Sequence, residues 1–141
     1  MEVIIQPTAD AASWLVARMI ANAIRGKPHS VLGLATGRTM ERLYARLVRL
    51  HREEGLDFSL VRAFNLDEYV GISAGHPGSY RFYMNRHFYS QINIDARNTF
   101  LPDGCAADLD VECRRYDAQI QAFGGIDLQL LGIGRTDRNH T

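Results

Sequence analysis

The chain has 141 residues, a length that suits one domain built on one core. With 46% hydrophobic and 23% charged residues it sits near the globular average, which argues against disorder, collagen-like repeats and coiled coil. Sixteen Lys and Arg against sixteen Asp and Glu give a formal net charge of zero, which removes the electrostatic case for a nucleic-acid partner or an anionic membrane surface.

No apolar run approaches the roughly 18 residues of a membrane span, and the opening Met1-Glu2-Val3 lacks the basic and apolar regions of a signal peptide. A soluble, cytoplasmic protein is expected. Cys105 and Cys113 read as free thiols.

The first helix is predicted from about Thr8 to a stop before Gly26-Lys27-Pro28, with Ala12, Leu15, Val16, Met19, Ile20, Ala23 and Ile24 on one stripe. Val31 to Leu34 is too short for a helix and reads as a buried strand entering the turn Ala35-Thr36-Gly37. From Thr39 a second helix places Met40, Leu43, Tyr44, Leu47 and Val48 inward, with Arg42, Arg46, Arg49 and Arg52 largely outward. Leu60 to Leu66 is a second strand candidate, and Ser79 to Phe88 a short helix after His76-Pro77-Gly78. A further helix runs from about Leu109 to Phe123, with Asp108 as its cap, Gly124 as its stop, and Leu109, Cys113, Tyr116, Ile120 and Phe123 on its apolar stripe. Cys113 is therefore expected in the core. Ile126 to Leu131 is the third interior strand. Strands alternating with helices give an α/β fold: an open, mostly parallel, Rossmann-like sheet with flanking helices.

Ligands of such sheets bind beyond the carboxyl ends of the strands. Three strand ends are therefore candidate sites. At the first, Gly37 permits a tight turn and Arg38 and Thr39 stand at a helix start, a set of N–H groups, hydroxyl and guanidinium that suits a phosphate; the same residues also fit a plain turn with an N-cap. No Walker loop is present. At the second, Asp67 and Glu68 follow an apolar strand, where a partly desolvated carboxylate can act as a general base; solvated loop charges or a helix cap are the alternatives. The third, Gly132-Ile133-Gly134, is a weak Gly-x-Gly signal. The five histidines and two cysteines show no zinc spacing.

Phe64-Asn65-Leu66-Asp67-Glu68-Tyr69-Val70-Gly71, then His76-Pro77-Gly78-Ser79-Tyr80 and Met84-Asn85-Arg86-His87-Phe88, resemble the glucosamine-6-phosphate deaminase (isomerase) family, which is related to the 6-phosphogluconolactonases. Leu34-Ala35-Thr36-Gly37-Arg38-Thr39 is similar to that family's sugar-phosphate loop, and Glu112-Cys113-Arg114-Arg115-Tyr116 and Gly132-Ile133-Gly134 continue the match up to Arg135. Asp-Glu-Tyr, rather than the Asp-Glu-Arg of the lactonases, favours the deaminase branch.

The resemblance implies conversion of glucosamine 6-phosphate and water to fructose 6-phosphate and ammonia, without a metal or organic cofactor. Asp67 would move the proton between C2 and C1, and Gly37, Arg38 and Thr39 would lie by the phosphate. Arg138 falls where the family carries its ring-opening histidine, and Asp137 and His140 read as ordinary tail residues. Residues 1–141 would then be the N-terminal part of a single sugar-phosphate deaminase/isomerase domain, truncated, impaired alone, and prone to aggregate or to self-associate as a homo-oligomer through an open sheet edge. A lactonase-like hydrolase and a non-catalytic sugar-phosphate binding module are the competing readings.

Overall fold

The computed structural model of the protein describes residues 1–133. Its first element, α1 (Ala9–Gly26), starts where the Thr8 hydroxyl accepts a 3.0 Å hydrogen bond from the Ala11 N–H. It ends where Lys27 turns extended ahead of Pro28. Its buried stripe is Ser13, Ala17, Ile20, Ala21 and Ile24. Met19, expected inside, is 51% exposed, because the stripe against α2 is centred on the small residues Ala17 and Ala21.

The helix α2 (Arg38–Glu54) buries Met40, Leu43, Tyr44, Leu47, Val48 and Leu50 as its periodicity requires. It stops at Gly55, which takes the left-handed conformation at φ 68° and donates to the His51 carbonyl while Leu56 donates to that of Leu50. The short helix α3 (Tyr80–His87) is capped by Ser79, and α4 (Leu109–Ala122) by Asp108, whose carboxylate accepts from Asp110 and Val111.

Among the described residues four parallel strands, β1 (Val31–Leu34), β2 (Arg62–Asn65), β3 (Thr99–Phe100) and β4 (Leu128–Gln129), lie in the order β3-β2-β1-β4. The chain steps outward from β1 to β3 and then returns to the far side of β1. Strand order therefore reverses at β1, the position at which open α/β sheets form their ligand crevice.

One face of the sheet, through Leu32, Leu34 and Ala63, packs with α1, α2, α3 and the 3-10 turn Tyr89–Gln91. Phe88 stacks on Tyr44 at 4.9 Å and meets Phe58 edge-on at 5.5 Å there. The other face, through Val31 and Phe64, packs with α4 by way of Tyr116, Ile120 and Phe123. Each fully buried Phe or Leu in these layers contributes about 1.5–3 kcal/mol.

Three expectations need correction, and one strand has no counterpart among them. The second strand is shorter than Leu60 to Leu66, because Leu60 lies in a turn and Leu66 has already left the sheet; both are about half exposed. The segment Ile126 to Leu131 pairs only through Leu128–Gln129 and, among the described residues, only with β1. Strand β3 has two residues and no periodicity to betray it; it exists because Ala63 and Phe64 offer it a partner edge. Cys113 is exposed, not core. The docked stripe of α4 is Glu112, Tyr116, Ile120 and Phe123, and the Glu112 carboxylate tolerates burial because it accepts from the Asp103 N–H and pairs with Arg115.

Candidate active site

Leu34 and Asn65 are register partners on adjacent parallel strands, so the chain leaves β1 and β2 side by side. Two phenols hold the first exit. The Tyr44 hydroxyl donates to the Ala35 carbonyl and accepts from the Ala35 N–H, and the Tyr83 hydroxyl does the same at Gly37, at 2.8 and 3.2 Å. Gly37 itself sits at φ 125°, a conformation that favours glycine, and caps α2 without any side-chain bond. Thr39 is thus the second residue of the helix and not its cap. Among the described residues no acceptor meets the N–H groups of Arg38 and Thr39, and both side chains are exposed. The helix start therefore offers open donors and a guanidinium to an anion.

At the second exit the two carboxylates separate in role. Glu68 accepts from the N–H groups of Tyr69 at 2.9 Å, Tyr80 at 2.8 Å and Arg81 at 3.0 Å, so it clamps its loop to the start of α3. Glu68→Gln turns an NH2 group toward N–H donors, and a loss of about 1–3 kcal/mol is expected. Urea unfolding checks this; an unchanged midpoint would remove the clamp.

Among the described residues, no other residue's donor meets the Asp67 carboxylate. It is pushed above the ordinary aspartate range, chiefly by burial of its carboxyl against the strand end and further by the neighbouring Glu68 charge, although the residue as a whole stays open to solvent. Tyr80 is pushed up to about 12, chiefly by burial and next by its neighbour Tyr69, on whose ring its own packs at 4.5 Å. Thr36 belongs to the first exit and Asp67 to the second. The two predicted loops therefore leave adjacent strands at the same end of the sheet.

A second layer fixes the far side of this loop. Gly71 donates to the Gly104 carbonyl at 2.9 Å, and Gly104 lies so close that a Cβ there would come within 1.9 Å of the Tyr69 carbonyl oxygen. Glu112 in turn holds Asp103. The third strand end arrives at the same place: a Cβ on Gly132 would sit 3.2 Å from the Met40 methyl, in the first turn of α2. Gly134, Arg135, Thr136, Asp137, Arg138 and His140 lie outside the described residues.

The model of one family, glucosamine-6-phosphate isomerases/6-phosphogluconolactonase, matches residues 6–141. The chain belongs to this family. A glucosamine-6-phosphate deaminase of Geobacillus sp. (strain WCH70) is 49% identical over 135 residues, which are 96% of this chain and 54% of the relative. One of Clostridium perfringens is 48% identical over 134 residues, covering 95% and 55%. The chain spans about half the length of the curated relatives it matches. The solved structure of a monomeric glucosamine-6-phosphate deaminase superposes with a TM-score of 0.93 at 47% identity, over 96% of this chain and 56% of that one. A 6-phosphogluconolactonase from Thermotoga maritima gives 0.73 at 18% identity, over 94% and 59%, and shares the fold.

In this family member the tyrosines around the two candidate loops carry little signal in the sequence. Tyr44 and Tyr83 look like core aromatics by spacing, and only the fold shows their hydroxyls turned to the backbone of the loop between β1 and α2. Tyr80 carried one signal: it follows the capping Ser79 directly, which puts it at the helix start facing the loop that Glu68 ties down.

Proposed function

We infer that the chain carries the proton-transfer and phosphate-binding groups of an amino-sugar-phosphate deaminase/isomerase acting on glucosamine 6-phosphate. The observation that carries this reading is the meeting, at one end of the sheet, of a carboxylate that the donor of no other described residue meets and a helix start with open N–H groups. Asp67 removes the C2 proton of the ring-opened sugar and returns it to C1. The electron pair left at C2 forms the C1–C2 double bond while the C1 carbonyl pair moves to O1, which takes a proton from the C2 ammonium, giving the enolamine; protonation at C1 then yields the C2 iminium of the ketose. Water adds to that iminium and ammonia leaves, so fructose 6-phosphate results. An aspartate held above its ordinary range is the stronger base for this step.

Arg38, the Arg38 and Thr39 N–H groups and the Thr39 hydroxyl bind the phosphate, with Gly37 letting the backbone come close. The exposed free thiols Cys105 and Cys113 fit a reducing, cytoplasmic setting. Titration calorimetry tests the phosphate half of the reading. Glucosamine 6-phosphate is expected to bind at least about tenfold more tightly than glucosamine, since one charge-assisted hydrogen bond is worth about 1.5–3 kcal/mol. Equal affinities would refute it. Ammonia release, as opposed to hydrolysis of 6-phosphogluconolactone, separates the deaminase from the lactonase reading; Tyr69 after Asp67-Glu68 supports the former.

A further inference from the structure

Asn65 is fully buried at the end of β2, two residues before Asp67, and polar groups reach it from both faces of the sheet. From the α2–α3 face, the Tyr89 hydroxyl donates to its side-chain Oδ1 at 2.9 Å. From the α4 face, the Tyr116 hydroxyl lies 2.6 Å from its main-chain carbonyl and 2.8 Å from that of Phe100, one proton shared between two strands. The Asn65 Nδ2 is buried and has no partner among the described residues. Packing alone does not ask for this arrangement. Leu at 65 and Phe at 89 would fill the same space without leaving a buried donor unmatched, and an unmatched donor costs about 1–3 kcal/mol. Asn65, moreover, is the last residue that the ladder holds before the chain turns into the site, and Glu68 is the next residue held. Only Leu66 and Asp67 lie between these two anchors.

We propose that Asn65 is a positioning residue: bracketed by Tyr89 and Tyr116, it fixes the exit of β2 so that the Asp67 carboxylate stays against the protein beside Glu68, Tyr69 and Tyr80. This rests on Asp67 being the proton-transfer group of the reading above. The test is NMR titration of the Asp67 carboxyl carbon in the 141-residue chain with labelled aspartate, together with thermal unfolding. In the double variant Asn65→Leu/Tyr89→Phe both polar partners become apolar. It is expected to melt within about 5 °C of the parent, while the Asp67 midpoint falls toward that of an ordinary aspartate as the loop loosens. Tyr89→Phe alone should melt lower and move the Asp67 midpoint in the same direction. A parental midpoint in either folded variant would overturn the proposal, as would failure of Tyr89→Phe to fold, which would make the pair a requirement of the fold itself. No sugar enters the measurement. Failure to bind glucosamine 6-phosphate would therefore strike the functional reading and leave this titration standing.

Discussion

Asp67→Asn is expected to lower ammonia release from glucosamine 6-phosphate by about 10²–10⁴-fold, the usual cost of removing a general base. The assay belongs in a chain extended to the length of its relatives, since this one spans about half of them. The sugar phosphate should still bind, because Asp67 lies on the β2 exit whereas the proposed phosphate donors lie on the β1 exit. Near-parental turnover would remove Asp67 from the mechanism. The same substitution carries a stability signature of definite sign. A carboxyl raised in the folded state binds its proton more tightly there than in the unfolded chain, so its contribution to stability is complete below the unfolded value and is lost as pH rises through the folded one. Asn imitates the protonated form. The variant should therefore be more stable than the parent at neutral pH, and the gain should vanish below about pH 4, the range of an unperturbed aspartate.

Gly104→Ala is expected to destabilise the protein by about 1–3 kcal/mol or more, the scale of overpacking a closed site. The obstacle is main chain and cannot rotate away: the new methyl would lie 1.9 Å from the Tyr69 carbonyl oxygen and 2.9 Å from its carbon. Relief requires the 69–71 segment to separate from Gly104, breaking the Gly71 hydrogen bond and moving the loop that carries Asp67. Urea unfolding and ammonia release should both fall. Gly26→Ala provides the comparison, because a Cβ there meets nothing within 4 Å and alanine favours a helix end over glycine. If the two alanine variants unfold at the same urea concentration, the close approach at Gly104 has no energetic weight.

The order and kind of the main helices and of strands β1 and β2, and the choice of Asp67, Gly37, Arg38 and Thr39 as candidates, were determined by sequence alone. Helix periodicity, the helix start near Thr8, the cap Asp108 and the short apolar run Val31 to Leu34 are local signals, written within a few residues of the structure they specify. Tertiary structure decided the rest. It assigned Glu68 to a helix cap and left Asp67 available, a division that two adjacent carboxylates cannot reveal because the N–H groups that make it belong to Tyr80 and Arg81. It turned the α4 stripe so that Cys113 faced outward and Glu112 inward, because the buried Glu112 found a main-chain donor at Asp103 and an arginine. It made a strand of Thr99 and Phe100 and brought the hydroxyls of Tyr44, Tyr83, Tyr89 and Tyr116 to backbone and amide groups distant in the chain. The physical reason is common to all of these. Periodicity records which side of an element meets apolar surface, whereas a buried polar group is placed by a partner that only the folded chain brings within 3 Å.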